Sequence, residues 1–141
     1  MRLTFLSHFI ICLAVASLMF FAALNGVPQA IWLNDQSKMT SVIGALFVGS
    51  AIYMGAQTWK LTSDSDSSYG HLAERLCVMF GFVGTAIGLS LQAKALAAGS
   101  TSFVALATSL FTTATGGVAA ALIAIMTFNL EVGAKRAERK R

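Results

Sequence analysis

Charged side chains are scarce in this sequence of 141 residues, where Lys, Arg, Asp and Glu together make up 11%, against about 25% in an ordinary soluble domain. Hydrophobic residues make up 56% of the chain, and the mean hydropathy is +0.72. This balance excludes an ordinary soluble globular fold and predicts a protein of the lipid bilayer. Little of the chain is left to build a domain outside the membrane.

Cysteine and metal-ligand clusters are scarce as well. The two cysteines, Cys12 and Cys77, fall in apolar stretches with neither paired nor metal-ligand spacing. We therefore interpret them as small buried hydrophobic residues. The sequence predicts no metal site, no cofactor and no enzyme active site.

Four apolar runs are each long enough to cross a bilayer as a helix, because a hydrocarbon core about 30 Å thick needs roughly 20 residues. These runs lack the period-two alternation of membrane strands, which disfavours a β-barrel. We predict an all-α membrane protein with four transmembrane helices in a single domain, followed by a basic cytoplasmic tail over residues 129–141. The predicted helices cover residues 5–24, 39–59, 76–98 and 103–128.

The distribution of Lys and Arg predicts the orientation of these helices. With the C-terminal tail in the cytoplasm, eight of these residues lie on the cytoplasmic side and two, Lys38 and Lys94, lie on the opposite side. Cytoplasmic segments carry an excess of positive charge, so we expect both termini in the cytoplasm. Arg2 and the first run also resemble a secretory signal. If that segment were cleaved, three helices would remain and the tail would still be cytoplasmic.

No carboxylate lies inside the four runs, since all six Asp and Glu residues are in loops or near the tail. A proton-coupled carrier usually holds an ionisable group near the middle of the bilayer. The same absence opposes a small multidrug-type transporter, a class of similar length that depends on a carboxylate in its first helix. An ion pathway in this protein would need an acidic group from another chain.

Small and hydroxyl residues are concentrated in the last two runs, where they recur at helical spacing on one face of each helix. Such residues allow close packing between membrane helices, and that is one explanation of the pattern. Counted at 1.5 Å per residue, Thr85 and Thr113 each lie about 14–15 Å from the end of their run, so we expect them to meet near the middle of the bilayer. We assign Thr85, Thr113, Thr112, Ser109 and Gln92 to a candidate ion pathway, and Gly81, Gly84, Gly88, Gly116 and Gly117 to helix packing.

These two runs resemble the MotA/TolQ/ExbB proton-channel family. Residues 81–88, Gly-Phe-Val-Gly-Thr-Ala-Ile-Gly, are similar to the family segment Gly-x-x-Gly-Thr-Val-x-Gly, and residues 107–120 are similar to Ala-Leu-x-x-Thr-Ala-x-Gly-Leu-x-x-Ala. The chain departs from the family in lacking a proline in its last helix, an acidic residue around Thr108, and a large cytoplasmic domain between the second and third helices.

The resemblance implies a bacterial inner-membrane protein whose subunits form a homopentameric ring around a single-span partner of the ExbD/TolR/MotB kind. An acidic residue of that partner takes up protons or sodium ions, and the ion motive force drives rotation. Thr85 and Thr113 match the family's two pore threonines. We therefore expect an ion-conducting stator-type subunit with no nucleic-acid partner. The alternative is a small pore-forming protein of the holin kind.

Overall fold

A computed structural model describes residues 2–61, 65–100 and 103–139. Across these residues every regular element is an α-helix, and four of the helices are long and apolar enough to cross a membrane. For the described residues, the prediction of an all-α protein with four helices long and apolar enough to span a membrane is therefore confirmed. The helices are α1 (Arg2–Leu24), α2 (Val27–Asn34), α3 (Met39–Lys60), α4 (Ser68–Ala97) and α5 (Phe103–Glu138).

Two helices extend beyond the apolar runs that predicted them. α4 begins at Ser68 rather than at residue 76, and α5 continues to Glu138 rather than ending at residue 128. The two extensions hold each other, because the Glu131 carboxylate accepts hydrogen bonds from His71 Nε2 at 2.7 Å and from the Ser67 hydroxyl at 3.0 Å. The first part of the predicted tail is thus helical, while Lys140 and Arg141 lie outside the described residues.

The short helix α2 occupies the connection between the first two predicted spans, which contains the helix-breaking residues Gly26 and Pro28. Gly26 has a φ of 70°, in the left-handed region that glycine adopts readily. Pro28 stands in the first turn of α2, where a missing N–H leaves no helical hydrogen bond unmade. Gly26 and Pro28, which break the helix after α1, therefore also begin α2.

α4 and α5 form the most closely packed helix pair, an antiparallel hairpin, and α3 lies against both of them. The buried residues of α4 recur at intervals of three and four, the spacing of one continuous helix face. Larger apolar side chains from α3 and α5 complete the core. The core includes Ile43, Met54, Ile123, Met126 and Leu130.

α1 packs on the bundle through its N-terminal half. Asn129 Nδ2 donates a hydrogen bond to the Thr4 carbonyl at 3.0 Å, and the buried His8 donates through Nε2 to the Ala51 carbonyl at 3.1 Å. The second half of α1 is largely exposed, including two adjacent phenylalanines, Phe20 and Phe21. Apolar side chains in that position suit the acyl chains of a bilayer.

α3 and α5 run parallel with a constant register. Thr127 contacts Met54, a Cβ added at Gly133 would lie 3.2 Å from the Leu61 side chain, and the Gln36 amide donates to the Thr108 hydroxyl at 3.2 Å. Members of these pairs differ by 72 or 73 in residue number. Met39, the first residue of α3, is therefore level with residue 111 of α5, and the hairpin projects beyond α3 by roughly 12 Å at 1.5 Å per residue.

Candidate ion-pathway site

Glycines bring α4 and α5 into contact at the level of the candidate site. A Cβ at Gly116 would lie 2.7 Å from the Cys77 carbonyl oxygen, and one at Gly88 would lie 2.8 Å from the Ala105 carbonyl oxygen. Gly81 and Gly84 are buried in the same contact. Four of the five glycines assigned to packing thus lie between the two helices.

Gly117 differs from the other four glycines. It is exposed, and a Cβ added there would meet no atom within 4 Å. Gly117 therefore takes no part in packing within the chain, because the helix rotation that buries Gly116 turns the next residue outward.

The structure brings Thr85 and Thr113 together. Their hydroxyl oxygens form a hydrogen bond across the hairpin. Thr85 Oγ1 also lies 2.9 Å from the Gly81 carbonyl oxygen, and Thr113 Oγ1 lies 2.9 Å from the Ser109 carbonyl oxygen. Two hydroxyls have two protons for these three contacts. The protons therefore have alternative positions, which is the property that a hydrogen-bonded relay requires.

This hydroxyl pair lies on the outside of the chain. Thr113 is exposed and Thr85 is half-buried, whereas the faces of α4 and α5 that pack on each other carry the buried glycines. The pair is thus accessible to water, lipid or another chain.

The other residues assigned to the pathway occupy different surroundings. Thr112 is fully buried, its hydroxyl donates to the Thr108 carbonyl at 2.8 Å, and its side chain fills the space at Gly84. Thr112 therefore packs between the two helices and does not share the exposed face of Thr113. Ser109 is buried beside the pair, and its hydroxyl lies 3.4 Å from the Thr85 carbonyl oxygen.

Gln92 lies two turns further out along α4. Its side chain is half-buried, and its Oε1 is enclosed without a hydrogen-bond partner among the described residues. At about 10 Å along the helix from Thr85, it stands apart from the hydroxyl pair.

The position of Thr85 and Thr113 along the membrane normal depends on whether it is measured against the hairpin or against α3. Relative to the apolar runs of α4 and α5, both threonines are central, as the residue count predicts. Relative to α3, the register places Thr113 level with Ser41, in the first turn of that helix. The difference arises because the hairpin is longer than α3 and projects past its outer end.

Asp35 is a buried carboxylate that sequence reasoning left in a loop. It is 1% exposed, and it accepts hydrogen bonds from the Ser37 amide and hydroxyl and from the Thr40 amide. Burial opposes ionisation, but these hydrogen bonds outweigh it and hold the pKa of Asp35 below its usual value. Asp35 ends α2, and its carboxylate accepts the Thr40 amide of the first turn of α3, so it links the two helices.

Comparisons with protein-family models, with curated proteins and with solved structures find no match to this chain. The resemblance to the proton-channel family therefore rests on the residues of the last two helices. Among the described residues, no three His, Cys, Asp or Glu side chains are placed to hold a metal ion.

Proposed function

We propose that this protein is an ion-conducting, stator-type subunit of a bacterial inner-membrane complex, assembled as a homo-oligomer, most simply a pentamer. In this proposal the exposed face of the α4–α5 hairpin lines the ion path, and a single-span partner of the ExbD/TolR/MotB kind supplies the acidic residue. The observation that carries the proposal is the hydrogen-bonded hydroxyl pair of Thr85 and Thr113 on the outside of a glycine-packed hairpin.

The chemistry of the pair supports this assignment. Lipid gives no hydrogen bonds to an exposed hydroxyl, whereas water or a polar group of another chain does. A pair with alternative proton positions can pass a proton or replace part of the hydration shell of an ion. It cannot itself take up charge near neutral pH, so the titrating group has to be a partner's carboxylate.

The distribution of exposed residues supports the orientation and the layering. Lys60, Lys135 and Arg136 are exposed at the end of the bundle opposite Lys38, so the positive charges favour both termini in the cytoplasm. The largely exposed second half of α1 is suited to lipid. A ring with α4 and α5 towards its centre and α1 towards lipid satisfies both faces.

Substitution of the pair by valine tests the proposal. Thr85→Val and Thr113→Val keep the side-chain shape and remove only the hydroxyl, so we expect each to lose most of the proton flux while the oligomer keeps its size. The complex is purified from its native membrane through a tag on this chain, and flux into proteoliposomes is followed with a pH-sensitive dye. Size is measured by light scattering in detergent.

Thr112→Val is the matched control, because that neighbouring hydroxyl is buried and bonded to carbonyls of its own helix. It should leave the flux close to that of the wild type. Wild-type flux in both Thr85→Val and Thr113→Val would refute the pathway. Leakage of a large dye through vesicles that hold this chain alone would instead favour the holin-like alternative.

A further inference from the structure

α2 contacts the other helices but leaves most of its apolar side chains exposed. Val27, Trp32 and Leu33 are 43%, 56% and 77% exposed, and over residues 27–33 only Pro28 and Ile31 are half-buried. An isolated helix of eight residues is marginal in water, because helix nucleation is costly. The apolar side chains that α2 exposes therefore need a surrounding other than water.

The side chain of Lys38 contacts Trp32 of α2. Its Nζ donates a hydrogen bond to the Trp32 carbonyl at 2.9 Å and lies 4.5 Å from the centre of the Trp32 ring. A lysine ammonium has three N–H donors, so two of them remain for other acceptors. Tryptophan and lysine together are typical of the boundary between acyl chains and lipid headgroups.

The same two residue types mark both ends of α3. Trp32 and Lys38 stand before its first residue, Met39, and the exposed Trp59 and Lys60 close it. The 22 residues of α3 span about 33 Å, close to the roughly 30 Å of a bilayer core. α3 therefore fits the membrane thickness by itself, with Trp32 of α2 near its first residue and Trp59 near its last.

We propose that α2 lies in the plane of the bilayer surface that faces away from the cytoplasm. Trp32 and Leu33 then lie among the acyl chains next to the headgroups, and Lys38 binds lipid phosphates. The occupant of this face is the headgroup layer of the leaflet opposite the basic tail. The tip of the α4–α5 hairpin carries the exposed Lys94 beside the exposed Leu96 and Phe103. In this placement Lys94 reaches the aqueous phase, while the two apolar side chains are covered by a neighbouring chain. This inference is independent of ion conduction.

The two tryptophans are the only ones in the chain, so fluorescence can test the placement. Trp59→Phe leaves Trp32 alone, and the full chain is reconstituted into vesicles whose lipids carry bromine either just below the headgroup or near the chain end. We expect shallow bromines to quench Trp32 about twofold more strongly than deep ones, as for an interfacial ring. Trp32→Phe leaves Trp59 as the matched probe of the opposite interface.

A second measurement does not depend on a tryptophan variant. In a Cys12→Ala, Cys77→Ala background, Lys94→Cys should react with a membrane-impermeant maleimide, whereas Ile52→Cys, on the exposed face of α3 within the span, should not. The proposal is overturned if deep bromines quench Trp32 best, if lipid bromines fail to quench it at all, or if Lys94→Cys is unreactive from both sides of the membrane.

Discussion

Gly116 and Gly117 are adjacent glycines with opposite surroundings, and this gives a sharp test of the hairpin contact. In Gly116→Ala the new Cβ would lie 2.7 Å from the Cys77 carbonyl oxygen and 3.0 Å from Gly81 Cα. Both are backbone atoms, so no side chain can rotate away and the helices have to separate. In Gly117→Ala the new methyl group meets nothing within 4 Å.

The expected magnitudes follow from two opposing effects. Replacing a glycine inside a helix by alanine stabilises the helix by up to about 1 kcal/mol, and this gain is common to both variants. Overpacking a tight contact costs typically about 1–3 kcal/mol, and only Gly116→Ala incurs it. We therefore expect Gly116→Ala to be less stable than Gly117→Ala by about 1–3 kcal/mol.

Cys77 provides the assay, because it is fully buried at the same contact. In a Cys12→Ala background, the reaction of Cys77 with a fluorogenic maleimide during heating reports the opening of α4 from α5. Gly116→Ala should lower the midpoint of this reaction relative to Gly117→Ala. Equal midpoints would refute the close approach at Gly116. Oligomer size is measured in parallel, since Gly117 is free to contact another subunit.

Two further predictions concern the cytoplasmic end and α1. The hydrogen bond from His71 holds the pKa of Glu131 below its usual value, and the hydrogen bond from Ser67 lowers it further, whereas partial burial opposes both. A carboxyl group with a lowered pKa stabilises the fold at pH values above its unfolded pKa, about 4.3. That stabilisation is lost as the pH falls through the folded pKa. Glu131→Gln should therefore reduce the free energy of unfolding at pH 7 by less than about 1 kcal/mol, as for a partly exposed pair, and thermal melts should show this difference shrinking as the pH falls. Gly55→Leu should detach α1 from α3, because a Cβ at Gly55 would already lie 3.1 Å from His8 Nε2. Gly44→Leu is the control, because a Cβ at Gly44 meets open space. In a Cys77→Ala background, Cys12 should be labelled faster in Gly55→Leu than in Gly44→Leu, and equal labelling would contradict the packing of α1.

The four spans were predictable because membrane insertion depends on hydropathy summed over about twenty residues, and that sum is read directly from the sequence. The helix ends were not. α4 starts at Ser68 because contacts such as that between Ser67 and Glu131, far apart in sequence, support its first turns. α2 was missed because Gly26 and Pro28 mark both the end of one helix and the start of the next.

The candidate site was predictable as a face but not residue by residue. Helical spacing places Thr112 and Thr113 on adjacent positions about 100° apart, and the rotation of α5 against α4 decides which of them is buried. Thr112 packs at Gly84 and Thr113 reaches Thr85. Gly116 and Gly117 divide in the same way, and no property of the two residues in the sequence distinguishes them.

The unequal lengths of α3 and the hairpin constrain how the proposed ion path would work. If α2 marks the outer surface, the Thr85–Thr113 pair lies only a few ångströms beneath it, because Thr113 is level with the first turn of α3. From Thr113 to residue 128, where the apolar run ends, the path would run about 22 Å at 1.5 Å per residue. That stretch of α5 exposes no charged side chain, and its exposed residues beyond Thr113 are small or apolar: Ala114, Gly117, Val118, Ala121, Ile125 and Phe128. An ion entering from outside would thus meet the hydroxyls first, and the partner's carboxylate would have to stand at their level to receive it.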